Sequence, residues 1–206
     1  MSQAFQVLVA KYSDRPGLAE RLWKELELTY SASERFYHNL DHLRHLFAEL
    51  EVVKAKIKNW DAQLFALFYH DAVYIPTNAT NEEDSAGLAR KRLREIGVMP
   101  YTIDQCVDII LATKNHSAQD NEEINYFLDA DLSILGTDWP AYYNYSLSIR
   151  EEYAVYPDNV YIPGRIKVLE HFLDMTAIFK TDFFTQRYEF KAMENLNREL
   201  RLLKQP

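Results

Sequence analysis

The stretch Ala62-Gln-Leu-Phe-Ala-Leu-Phe-Tyr-His-Asp71 decides the fold. It is apolar on almost every side when wound as a helix, and a helix without a polar face belongs inside a protein. Asn59 or Asp61 supplies a start, since short polar side chains cap the free N–H groups of a first turn. The run closes on His70 and Asp71, which Leu64, Leu67 and Phe68 carry into the core. Aspartate is almost never fully buried without a partner, so this dipeptide demands a counter-group.

Working outward, the pattern remains helical. Leu18, Leu22 and Leu26 recur at i+4 spacing, with Trp23 beside them. Asp41 is placed to cap a helix from His42 to about Lys58. A charged amphipathic helix runs from Glu82 to Ile96 and stops at Gly97. Further helices are expected over about Thr102 to Thr113, Glu122 to Leu135 and Pro140 to Tyr153. Pro157 and Pro163 bracket an expected irregular stretch, favoured over a hairpin at Val155 to Ile162 because prolines suit a loop better. Two last helices follow, about Gly164 to Phe179 and Thr185 to Leu203. The sequence therefore predicts one all-α domain spanning residues 1–206.

Composition agrees. Of 206 residues 48% are hydrophobic, enough for a core, and only five are glycine, too few for a turn-rich sandwich or barrel. A net charge of −8 argues against a nucleic-acid polymer as partner. It leaves room for a small anion, because a bound cation reverses the local field. Cys106 is the single cysteine, so no intrachain disulfide forms, and its apolar setting reads as core. Met1 to Ala10 lacks the basic-then-apolar pattern of a secretory signal, and no window has the length of a membrane span. A cytoplasmic protein without membrane partners is expected.

Three places set ionisable groups in apolar sequence: Tyr37-His38-Asn39-Leu40-Asp41-His42, His70-Asp71, and Phe127-Leu-Asp129-Ala-Asp131-Leu132. Taken singly, each reads more simply as a satisfied core residue, a cap or surface decoration. Taken together, one buried cation resolves all three. Two imidazoles and two carboxylates suit a divalent ion such as Mn²⁺, Fe²⁺, Co²⁺, Ni²⁺, Zn²⁺ or Mg²⁺. The residues alone leave open whether His38 or His42, and Asp129 or Asp131, belong to the set.

The ordered series Arg35-x-Tyr-His-x-x-x-His42, Phe68-x-His-Asp71, Asn81-Glu82, Ser85-Ala86, Thr113 with His116, Asp129-Ala-Asp131-Leu and Arg150-Glu-Glu-Tyr153 resembles the HD-domain metal-dependent phosphohydrolases over roughly residues 35–200. The resemblance implies a single HD-like helical bundle with His42, His70, Asp71 and Asp131 as metal ligands. Asp71 then takes part in catalysis, and Glu82, His116 and Asp129 are the candidate proton donors. His38 and the cations Arg35, Arg150 and Arg165, with Lys114 as a weaker candidate, would contact a small phosphorylated substrate, such as a nucleotide. Two-metal members carry a histidine where this chain has Asn81, which points to one ion, with His116 leaving room for a second. Some nucleotidase-like members carry a glutamate where this chain has Tyr74. A non-catalytic metal or nucleotide sensor, and a di-iron oxygenase on the same fold, are the alternatives. The leucine and aromatic spacing of Ile162 to Leu203 fits core or subunit contact, a homodimer being the commonest assembly.

Overall fold

The computed structural model describes residues 1–205 and is all-helical, with no strand among the described residues. The chain forms two compact units, Met1–Phe127 and Leu128 onward. No helix among the described residues is long and apolar enough to cross a membrane.

The first unit contains α1 (Ser2–Ala10), α2 (Leu18–Tyr30), α3 (Leu40–Val53), α4 (Trp60–Tyr69), α5 (Asn81–Ile96) and α6 (Pro100–Ala112). The chain leaves it within α7 (Glu122–Leu132). The central helix is α4, which touches α1, α3, α5 and α6, so Ala62 to Tyr69 are all buried. Phe5 meets Phe68 edge-on at 5.0 Å between ring centres, and Trp23 meets the same ring at 6.3 Å. Such pairs add to the roughly 1.5–3 kcal/mol that burying each large apolar side chain contributes.

Local chemistry fixes the ends. Asn59 caps α4 by accepting from the Ala62 N–H at 3.2 Å. Glu82, Glu83 and Asp84 put negative charge on the first turn of α5, where the helix dipole favours it. Gly97 ends that helix with φ at 91°, a left-handed conformation that glycine adopts without strain. Pro100 opens α6 at a position where its missing N–H costs nothing.

The helix carrying His42 departs from expectation. Asn39, not Asp41, is the cap, and its side chain accepts from the N–H groups of Asp41 (2.8 Å) and His42 (3.4 Å). His38 precedes the helix and shares no helical face with His42. The far end also stops early, at Val53, before a 3₁₀ turn over Lys54–Lys56.

The second unit holds a 3₁₀ turn (Ser133–Gly136), α8 (Trp139–Glu152), α9 (Asp158–Leu173), the single turn α10 (Asp182–Phe184), a π-turn (Thr185–Glu189) and α11 (Phe190–Leu203). The expected irregular stretch at Pro157 to Pro163 is instead helix, with Pro163 inside α9. Tyr161, Arg165 and Leu169, spaced at i+4, are buried along one face, and that anchoring outweighs the hydrogen bond proline removes. The helix ends at Leu173 rather than near Phe179. Arg165 forks onto Glu199 of α11 through Nε–Oε1 (2.8 Å) and Nη2–Oε2 (2.9 Å), and Tyr142 donates to the same carboxylate. Nothing in the chain's one-dimensional pattern pairs Arg165 with Glu199, because the two lie on different helices.

Candidate metal centre

His42 sits in the first turn of α3, and His70 is the residue that closes α4. Both are buried, and both offer ring nitrogens close enough to hold one ion. Their Nε2 atoms face each other at 3.1 Å. Oδ2 of Asp71 lies 3.0 Å from Nε2 of His70 and 3.7 Å from Nε2 of His42. Three donor atoms, one from the first turn of α3 and two from the residues that follow α4, therefore converge on one small space.

The ring of His70 is oriented from behind. Its Nδ1 lies 3.1 Å from the carbonyl oxygen of Leu67, which can only accept, so Nδ1 carries a proton and Nε2 is the nitrogen a neutral ring would offer to an ion. Partners of this kind fix ring orientation and tautomer in metal-ligating histidines. The Asp71 carboxyl is subject to burial, which opposes its charge. The imidazoles of His70, His38 and His42 outweigh that, and hold it well below the usual carboxylate range.

The donor set fits a divalent ion. Two ligand atoms each ~2.1 Å from one ion stand ~3.0 Å apart at right angles and ~3.4 Å apart at the tetrahedral angle. The observed edges of 3.0, 3.1 and 3.7 Å bracket those values.

Around this centre lie aromatic side chains. The ring of His38 lies tilted against that of Tyr74, 4.2 Å between centres, and Tyr37 lies 5.1 Å from the ring of His42. Phe127 meets His70 edge-on at 5.6 Å. The Arg35 guanidinium points to backbone, donating to the carbonyls of His38 (3.1 Å), Asp71 (2.7 Å) and Ala72 (3.4 Å).

The other expected site residues are placed as follows. Asp131 lies half-buried in the last turn of α7, in the second unit. Asp129 is fully buried in that unit, where its carboxylate accepts from the Lys180 N–H, the Thr181 N–H and the Thr181 hydroxyl at 2.7–2.8 Å. Burial pushes the Asp129 carboxyl up, and these donors offset that only in part. Such a carboxylate is engaged in holding a turn. Glu82 is half-buried in the first turn of α5. His116 follows α6 with a left-handed φ of 49°.

The cations expected at a phosphate are all engaged. Arg150 donates to Asp158 and to the carbonyls of Tyr153 and Tyr156, Arg165 to Glu199, and Lys114 pairs with Glu83. Asn81 stitches the loop after α4, accepting from the Ile75 N–H at 3.0 Å and donating to the Ile75 carbonyl at 2.9 Å. Cys106 is buried, and burial pushes its thiol up, so it stays protonated.

Sequence reasoning missed Asn39 as the cap and Arg35 as a backbone partner. The first had a signal, because asparagine outranks most residues at a helix start and Asp41 then falls in the first turn. The second had none, since carbonyl partners leave no trace in composition or spacing. Comparisons with protein-family models, with curated proteins and with solved structures find no match to this chain.

Proposed function

We propose that this protein is a metal-dependent phosphohydrolase acting on a small phosphorylated molecule, with His42, His70 and Asp71 as ligands of one divalent ion. The observation that carries the reading is the convergence of His42 Nε2, His70 Nε2 and Asp71 Oδ2 with edges of 3.0–3.7 Å. Asp131 joins the proposed set on the strength of the Ala-Asp-Leu motif alone. The ordered motif resemblance to HD-domain enzymes supports the reaction type.

An ion held there supplies Lewis acidity toward a phosphoryl oxygen and acidifies a water molecule. The chain's own groups define the rest. Asp71 keeps its carboxylate charged and turns one oxygen toward both imidazoles. His70 is held with Nε2 forward through the Leu67 carbonyl. His38, packed against Tyr74 beside Asp71, is the side chain we assign to the substrate or leaving group. Glu82 and His116 stay as proton-donor candidates on sequence grounds.

Tyr74, standing where some nucleotidase-like members of the resembled family carry a glutamate, favours one second reading, a metal-dependent sensor that binds a ligand without turning it over. One experiment separates them. Purified protein is assayed for bound metal, then screened against phosphomonoesters and nucleotides with Mn²⁺, Co²⁺, Ni²⁺ or Mg²⁺. Metal with turnover supports the hydrolase, and metal with tight nucleotide binding but no product supports the sensor. Protein that holds no metal and turns nothing over overturns both.

A further inference from the structure

Arg35 is the least expected member of the centre's surroundings. It is only 8% exposed, and it meets neither a carboxylate nor open solvent. Its guanidinium lies between two aromatic faces, 5.0 Å from the ring centre of Tyr30 and 5.5 Å from that of Tyr74. A cation over such faces is stabilised, more so when desolvated. Its N–H groups reach two separate stretches of backbone, the His38 carbonyl on one side and the Asp71 and Ala72 carbonyls on the other.

Those stretches carry the proposed ligands. The His38 carbonyl adjoins Asn39, the cap of the helix whose first turn presents His42. The Asp71 carbonyl belongs to a ligand residue and follows His70 directly. We propose that Arg35 is a positioning residue for the metal centre, a clamp that sets the distance between the segment presenting His42 and the segment presenting His70 and Asp71. The inference rests on the metal reading above, and extends it to a residue that touches no ligand atom. Arginine is required because a planar fork of several donors serves two peptide segments at once, whereas lysine offers a single compact charge.

The test is Co²⁺ binding by the full chain, followed by titration and by visible absorption, which reports coordination geometry. Arg35→Lys should retain helical content, bind Co²⁺ about 10–100-fold more weakly, as loss of an outer partner typically does, and show a changed absorption band. Arg92→Lys is the control. It removes another arginine fork in the same unit, one that holds Glu25, and should bind as wild type with an unchanged spectrum. If Arg35→Lys does not fold, Tyr74→Leu removes one aromatic face of the clamp and should weaken binding about two- to fivefold. Folded Arg35→Lys, or in its place Tyr74→Leu, with wild-type affinity and spectrum overturns the clamp while the metal site stands. Wild-type protein that binds no Co²⁺ overturns the metal reading and the clamp with it.

Discussion

Nδ1 of His70 lies 3.1 Å from the carbonyl oxygen of Leu67, one turn earlier in the chain, and that contact decides which ring nitrogen faces His42. The helix thus orients its own terminal residue. A donor made ready this way would lose little freedom on binding an ion, which is the general benefit of preorganisation.

His70→Ala should therefore abolish metal retention rather than weaken it, a larger loss than the ~10–100-fold expected for an outer partner. Elemental analysis of purified protein, with circular dichroism to show retained helix, checks this. Binding to the wild type should also weaken as pH falls, because protons compete for the imidazole nitrogens. Metal retained by His70→Ala at wild-type stoichiometry would contradict the assignment.

Asn39→Ala should lower stability by about 1 kcal/mol, the usual cost of a lost cap. Because His42 is one of the two N–H groups that Asn39 holds, metal affinity should fall as well. Urea unfolding of the metal-free protein and a binding titration measure the two effects separately.

Glu199→Ala leaves Arg165 buried without its partner and deprives Tyr142 of its acceptor. Removing one member of a buried ion pair costs about 3–5 kcal/mol. The midpoint of denaturant unfolding should move accordingly. Replacing Arg165 by Met and Glu199 by Leu together should recover much of the loss, because no charge is then left buried.

Asp129→Ala should destabilise by about 2–4 kcal/mol, since the N–H groups of Lys180 and Thr181 lose their acceptor in a buried setting. Thr181→Val, which removes only the hydroxyl donor, should cost about 1 kcal/mol. Equal losses in the two variants, read from thermal midpoints, would show that the turn is held by something else.

How much of this was legible beforehand varies with the kind of signal. The central helix was readable because Ala62 to Tyr69 are buried at every position, so no phase had to be chosen. Its terminal His70 and Asp71 were singled out by the conflict between their chemistry and that setting. Pro163 misled, because a proline's local preference says nothing about Tyr161, Arg165 and Leu169 anchoring the helix around it. Arg35 read as a phosphate ligand because an arginine fork suits an anion, whereas its partners in the structure are carbonyls that every residue possesses. Local chemistry was visible, and contacts between distant backbone segments were not.

Asn81 has a consequence for the capacity of the site to change. Its amide grips Ile75 through both the N–H and the carbonyl, and also donates to the Asn78 carbonyl at 3.3 Å. A histidine at this position would have to abandon that three-point hold. On the proposed metal reading, the addition of a second ion is thus opposed less by the missing imidazole than by the loop that the amide keeps closed. An engineered second site would have to redesign residues 75–81 together, not one position alone.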